Sequence, residues 1–223
     1  MTTKKKTFIR PAASTLPAEF EERIDIDRGD IYPKEMIDRH VARYRWAVGQ
    51  VTRRYGRAGW TLDAACGTGY GSLMLMSASH KVLGLDLNAD VLQEARARFG
   101  GSLLTFRQSD FRKQLPISSD QFDAAVCIET IEHFDESHGA NFLRELYRSV
   151  VPGGILILST PSFDKERGMT STYHVKEYTP NEMVAIVTAA GFVDIELDGP
   201  DNLWVKDMPG FIFLRARKPE VVR

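Results

Sequence analysis

Leu62-Asp63-Ala64-Ala65-Cys66-Gly67-Thr68-Gly69-Tyr70-Gly71-Ser72 is a short apolar strand running into a loop of small residues and then a helix. Glycines at 67, 69 and 71 let the backbone turn tightly and approach a ligand that side chains would hold off. The helix N-terminus beyond them offers unpaired N–H donors to an anion. Lys81-Val82-Leu83-Gly84-Leu85-Asp86 then reads as a second strand ending in an acid. Open α/β sheets place such a carboxylate against ribose hydroxyls. Together the two segments predict a nucleoside-binding edge.

A dinucleotide-binding turn needs G-x-G-x-x-G, and here Ser72 stands where the last glycine would fall. The spacing Gly67-x-Gly69-x-Gly71, with Asp63 ending the strand before it, instead resembles motif I of class I S-adenosylmethionine-dependent methyltransferases. The resemblance continues through Gln108-Ser109-Asp110-Phe111, similar to the family's segment after strand three. It extends to Gln121-Phe122-Asp123-Ala124-Ala125-Val126-Cys127 for strand four and Val151-Pro152-Gly153-Gly154-Ile155-Leu156-Ile157-Leu158-Ser159-Thr160-Pro161 for strand five. One departure is visible: Ala65 occupies the family's first motif glycine. The resemblance implies S-adenosyl-L-methionine as cofactor. Asp63, with Ala65, Gly67 and Gly69, would hold its amino-acid end. Asp86 would accept from the ribose hydroxyls, Leu87 beside it would also contact the cofactor, and Asp110 would accept from the adenine amino group with Phe111 beside the ring. The same acids in isolation would read as strand-end caps.

At 223 residues the chain fits one domain with a sizeable core. Its 43% hydrophobic and 26% charged residues are those of a globular protein. A net charge of −1 gives no global footprint for a polyanion, which argues against nucleic acid. Cys66 and Cys127 fall at buried strand ends and read as small apolar fillers, as in a reducing cytoplasm. No apolar run approaches the ~20 residues that span a bilayer. Lys4, Lys5 and Lys6 are followed by no apolar stretch, so the start is not a secretory signal.

Residues 1–30 lack periodicity and are expected to form a flexible segment, with a single domain over 31–223. Ile37, Val41, Tyr44, Val48 and Val51 recur at three- and four-residue spacing and predict a helix from Lys34 to Tyr55. Strands are expected at Trp60 to Ala64, Lys81 to Leu85, Leu103 to Gln108, Phe122 to Ile128 and Ile155 to Thr160. Helices between them run Tyr70 to Ser79, Ala89 to Phe99 and Glu136 to Val150, with Gly100-Gly101 as a stop. Thr179-Pro180-Asn181-Glu182 is a capping box opening a last helix. Phe192 to Leu197 and Phe211 to Ala216 close the chain as an antiparallel pair. The alternation predicts an α/β, Rossmann-like, doubly wound seven-stranded sheet, mostly parallel with an antiparallel C-terminal strand.

Glu129-Thr130-Ile131-Glu132-His133 follows strand four at the edge where such sheets bind ligands. His174, on the long loop after strand five, should fold over the same edge. Glu129, Glu132, His133 and His174 form an oxygen/nitrogen set suited to Mg²⁺, Mn²⁺ or Zn²⁺. The E-x-x-E-H pattern with a downstream histidine resembles the metal site of O-methyltransferases acting on ubiquinone precursors or on the terminal 2′-hydroxyl of small RNAs. Similar segments occur in metal-free sugar and antibiotic methyltransferases, where His133, with Glu132, would serve as general base. A structural role, Glu132 capping a helix and His133 wedged under a lid, stays open beside these two.

Arg43, near His40 and Tyr44, shares a helix face with Arg39, a face that reads either as a clamp for the cofactor carboxylate or an anionic substrate or as a solvated polar face. Tyr173, Tyr178, Phe163 and Trp204 on loops suggest an aromatic substrate wall or lid packing, while His80 and His138 read as surface residues. His40-x-x-Arg43-Tyr44 resembles methyltransferases of polysaccharide and glycoside biosynthesis. The function this implies is methyl transfer to a hydroxyl of a small molecule: a sugar, secondary metabolite or quinone precursor. A metal-dependent small-RNA 2′-O-methyltransferase and a non-catalytic cofactor-binding partner subunit are the alternatives, and a homodimer is left open.

Overall fold

The computed structural model describes residues 25–26, 32–198, 208 and 210–221. The expected flexible segment 1–30, apart from Asp25 and Ile26, and Trp204 lie outside the described residues. In chain order the elements are α1 (Lys34–Tyr55), β1 (Ala58–Ala64), α2 (Tyr70–Leu75), β2 (Ser79–Asp86), α3 (Ala89–Phe99) and β3 (Leu104–Gln108). They continue as β4 (Phe122–Ile128), α4 (Glu136–Ser149), β5 (Val150–Pro161), α5 (Pro180–Ala189), β6 (Val193–Leu197) and β7 (Phe211–Arg217).

The strands form one seven-stranded sheet in the order β3-β2-β1-β4-β5-β7-β6. β1 through β5 pair in parallel, and β7 runs antiparallel to both β5 and β6. The strand order reverses between β1 and β4, so their carboxyl ends diverge into the crevice where doubly wound sheets bind ligands.

Alternate residues of each central strand face opposite sides, and both sides are apolar, as a covered parallel sheet requires. Leu62, Leu83, Ala125 and Leu156 pack with Phe142, Leu143 and Leu146 of α4 and Met183 and Val187 of α5. Val82, Ala124, Val126 and Ile157 pack with Trp46, Ala47 and Val51 of α1 and Leu92 and Ala95 of α3. Thr179 and Glu182 form the expected capping box: the Glu182 carboxylate accepts from Thr179 N at 2.7 Å, and Thr179 Oγ1 accepts from Glu182 N at 3.3 Å.

Two expectations need correction. The helix after the glycine loop stops at Leu75, not Ser79, because Ser79 joins β2 opposite Ala58 and its hydroxyl bonds Thr61 Oγ1 at 2.7 Å. Gly100 ends α3 where expected, in an extended conformation (φ −60°, ψ 141°). A glycine fits there because a Cβ would sit 2.5 Å from the Arg96 carbonyl. β5 begins at Val150, five residues early, because Val150 pairs with Phe122 ahead of a register shift.

Gly71 marks a close approach. It is buried in α2, and a Cβ there would lie within the Tyr44 ring of α1. Gly71→Ala is therefore expected to cost about 1–3 kcal/mol by overpacking. Urea unfolding should show an earlier midpoint at similar slope, and an unchanged midpoint would contradict the α1–α2 packing described.

Candidate active site

At the end of β1 the Asp63 side chain is fully buried. It accepts from Ser72 Oγ at 2.6 Å and from Tyr44 Oη at 3.2 Å, so α1 and α2 both close on one carboxylate. Burial outweighs these two hydrogen bonds and pushes its pKa up to about 7. Ala65 follows with φ 64°, Gly67 with φ 53° and Gly69 with φ 84°. The left-handed turn explains the family glycine at position 65, and alanine there carries local strain. Gly69 is needed for another reason: a Cβ would meet Ala95 and Phe106 at 2.9 Å.

Asp86, at the end of β2, turns its carboxylate back into the same loop. Gly67 N donates to Oδ2 and Asn88 N to Oδ1, both at 2.9 Å. Leu87 beside it is half exposed, and its carbonyl accepts from Gln108 Nε2 at 2.9 Å. Above Gly67 the space is open: among the described residues, nothing lies within 4 Å of where a Cβ would stand. The nearby Thr68 and Ser109 hydroxyls are buried without a partner among the described residues. An open glycine turn, two orphaned hydroxyls and paired acids fit a polar nucleoside ligand of the implied kind.

The segment after β3 is arranged differently from the expectation. Arg112 grips Asp110 with two bonds, Nε to Oδ1 at 2.9 Å and Nη2 to Oδ2 at 3.0 Å, which holds this carboxyl below its usual range. Phe111 turns its ring inward, edge-on to Phe142 at 5.3 Å between centroids, and is buried in the core. The structure thus places Asp110 at the rim and the Phe111 ring beneath it.

On the β4 side Glu129 adopts φ 51° and splits from the other expected ligands. Its Oε1 accepts from Ser159 Oγ at 2.9 Å and faces Arg43 Nε at 3.5 Å. Arg43 is buried, its guanidinium stacked 4.2 Å over the Phe211 ring, while Arg39 is exposed, so the expected arginine pair divides. His40 bonds the Tyr70 hydroxyl, and burial with the Arg43 charge lowers it to about 3, leaving it neutral.

A one-turn 3₁₀ helix, Ile131–His133, carries Glu132 into the interior. Its Oε2 accepts from Thr160 Oγ1 at 2.8 Å, and burial together with the Glu129 charge raises its pKa well above normal. The Glu132 carbonyl accepts from Val175 N at 2.8 Å and Lys176 N at 3.0 Å, drawing the β5–α5 loop over the rim. That loop brings His174 to His133, their rings 5.3 Å apart and nearly perpendicular. Glu132, His133 and His174 each offer a ligand atom within 4.8 Å of the others; Glu129 is outside this group.

Tyr178 is buried in the core, and Phe163 and Tyr173 are half-buried, which is lid packing in the described part of the expected aromatic wall. His80 is exposed, and His138 sits at the surface beside the N-cap Asp135. Glu177 carries no role in any of the motifs read from the sequence, yet its side chain is fully buried and bonds His174 Nδ1 at 2.7 Å. Its only sequence signal is an acid three residues after a loop histidine.

The Methyltransferase domain family matches residues 62–158. A probable S-adenosylmethionine-dependent methyltransferase of Mycolicibacterium smegmatis is 30% identical over 160 residues, covering 70% of this chain and 58% of the relative. A ubiquinone biosynthesis O-methyltransferase of Pseudomonas paraeruginosa is 32% identical over 130 residues, 57% of this chain and 53% of that one. The chain thus spans somewhat over half the length of these curated relatives. Among solved structures, S-adenosylmethionine-bound CalS10, an amino pentose methyltransferase from Micromonospora echinaspora, superposes with a TM-score of 0.64 at 17% identity. That match covers 81% of this chain and 91% of CalS10. Sheet order, motif order and these matches put the chain among the class I S-adenosylmethionine-dependent methyltransferases. No helix among the described residues is long and apolar enough to cross a membrane.

The Asp63 environment has a thermodynamic consequence. Its folded pKa of about 7 lies above the unfolded value of ~3.9, so the folded state holds the extra proton between them. Stability from this group is present below pH ~4 and is lost as pH rises through about 7. Urea unfolding of the ligand-free protein should show a steeper loss between pH ~4 and ~7 than Asp63→Asn does. Parallel pH dependences would assign the buried proton elsewhere.

Proposed function

We propose that the protein transfers the methyl group of S-adenosylmethionine to a hydroxyl of a small molecule, a sugar, secondary metabolite or quinone precursor. The observation that carries this reading is the Glu132–His133–His174 cluster on the same rim as the Asp63–Gly67–Asp86 turn. The O-methyltransferase activity named for the ubiquinone biosynthesis relative supports oxygen as the accepting atom. A net charge of −1 supports a small acceptor over a nucleic acid.

When bound, S-adenosylmethionine supplies a methyl carbon already activated by its sulfonium. The chain therefore has to bind, orient and remove one proton. Asp63, tied to Tyr44 and Ser72, acts from beneath as a positioning residue that fixes the glycine turn receiving the amino-acid end; Asp86 accepts from the ribose hydroxyls. Leu87 offers an apolar face to the adenine, with Ser109 and Asp110 at its polar edge. Arg43, facing Glu129, brings a positive charge to the rim that favours a carboxylate of the cofactor or of the acceptor there. His133, next to buried Glu132, takes the acceptor hydroxyl proton as its oxygen comes in line at roughly 3–3.5 Å from the methyl carbon.

The mixed donor set also fits a divalent cation. Nδ1 of His133 lies 3.3 Å from the Tyr173 carbonyl and Nδ1 of His174 lies 2.7 Å from Glu177, the outer support that histidine ligands commonly have. A cation of the Mg²⁺, Mn²⁺ or Zn²⁺ type, when bound, supplies Lewis acidity toward the hydroxyl.

Release of S-adenosylhomocysteine in the presence of a pool of sugars, quinone precursors and phenols tests the function. Asp86→Ala should weaken cofactor binding by about 1–3 kcal/mol, because it deletes charge-assisted hydrogen bonds and frees the Gly67 and Asn88 amides. Calorimetry with an unaltered affinity would remove Asp86 from the cofactor site. If a cation is used, EDTA should abolish turnover and Glu132→Ala should reproduce that loss; full activity in chelator leaves His133 as the base alone.

A further inference from the structure

The Glu177 side chain has no exposure to solvent, and its Oε1 collects three donors from one short stretch of loop. Thr170 N donates at 2.5 Å, the Thr170 hydroxyl also donates, and His174 Nδ1 lies at 2.7 Å. Thr170 Oγ1 further approaches His174 Nδ1 at 3.2 Å. The other oxygen, Oε2, is buried without a hydrogen bond among the described residues and faces Arg167 Nη2 at 3.7 Å. Arg167 in turn donates to the Ser162 carbonyl just beyond β5. This carboxylate is therefore built into the loop from 162 to 179, with its charge balanced from one side and its hydrogen bonding directed to the other.

A carboxylate only accepts, so the imidazole nitrogen facing it must carry the proton. We propose that Glu177 is a positioning residue that fixes His174 in the Nδ1–H form. Nε2 is then the basic nitrogen of His174, the one able to receive a proton or a cation beside Glu132 and His133. The carboxylate also sets the ring's rotation, since His174 Nδ1 and the Thr170 donors converge on a single oxygen. Carboxylate support of this kind orients a histidine and raises its basicity. The assignment rests on the methyl-transfer reading for its catalytic consequence, but the ring form itself does not.

Long-range proton–nitrogen correlation spectra of the full-length, ¹⁵N-labelled protein report which nitrogen of each neutral histidine ring is protonated. His174 is expected as Nδ1–H in the native protein. Glu177→Met keeps the side-chain length but removes the acceptor. It should abolish that preference and lower kcat for S-adenosylhomocysteine release about 10–100-fold, with the cofactor Kd unchanged. Glu177→Gln keeps an acceptor oxygen and should retain the ring form and more of the turnover than Glu177→Met. An Nε2–H ring in the native protein, or a ring form and kcat unmoved by Glu177→Met, would overturn the proposal. Should Glu177→Met fail to fold, the native ring form decides alone. If no acceptor turns over while His174 is Nδ1–H and responds to the substitution, the function reading fails and the positioning assignment stands.

Discussion

A carboxylate with no access to solvent sits at the mouth of the sheet, and the surrounding structure is organised to hold it. Burying an acid costs several kcal/mol unless it is hydrogen-bonded or protonated. Asp63 has both forms of relief: hydroxyl donors from Tyr44 and Ser72, and a pKa raised to about 7. Those donors come from helices on either side of the glycine loop, so satisfying Asp63 requires α1 to dock and α2 to start where it does. Gly71 permits that docking by leaving room for the Tyr44 ring. Further along α1, fully buried Trp46 bonds Asp198 through its indole N–H, and Gln50 Nε2 reaches the same oxygen at 3.1 Å. The N-terminal helix is thereby tied to the end of β6 and belongs to the fold as firmly as the strands.

The rim divides electrostatically along the switch point between β1 and β4. On the β2 side Asp86 is held by two backbone N–H groups. On the β4 side Glu129 has Arg43, whereas Glu132 has one threonine hydroxyl and a neighbouring negative charge. The two neighbouring carboxyls thus sit in very different settings, and burial with the Glu129 charge raises the pKa of Glu132. In the proposed reading this difference is useful. Glu129 fixes Arg43 in place, and Glu132 is left with unmet demand for positive charge or a proton, next to two imidazoles.

Most of this architecture is legible in the sequence, because parallel strands covered on both faces read as short apolar runs and their breaks are sharp. β4 and α3 have the expected limits, and the capping box at Thr179 announces α5. The errors arise where pairing overrides local pattern. Ser77-Ala78-Ser79 looks like the end of a helix, yet Ser79 is worth more as a strand residue bonded to Thr61. Spacing alone puts Glu129 and Glu132 on one helical face. The turn after β4 is instead a left-handed residue followed by a single 3₁₀ turn, which points the two side chains at different partners. Phe111 follows Asp110 in sequence but not in orientation: a segment leaving a sheet edge alternates between rim and core, and the ring takes the core side.

Glu177 is illegible for a more basic reason. Nothing in Tyr173-His174-Val175-Lys176-Glu177 distinguishes a solvated acid from a buried one, since burial here is decided by contacts far away in sequence. The Glu132 carbonyl captures the amides of Val175 and Lys176, which pins the loop's last turn to the end of the β4 segment. Phe163 N donates to the Tyr178 carbonyl at 2.8 Å, which pins its first residues to its last. Between those two clamps the chain has to fold back on itself, and Glu177 is the residue left inside the fold. A glutamate would be a costly filler for that position. Its cost is offset only because the enclosed loop supplies Thr170, Arg167 and His174 as counterparts, all from nearby in the same loop. The loop is therefore a self-satisfied polar unit delivered to the rim as one piece, so that the geometry of His174 is set by the loop's interior and not by whatever acceptor arrives.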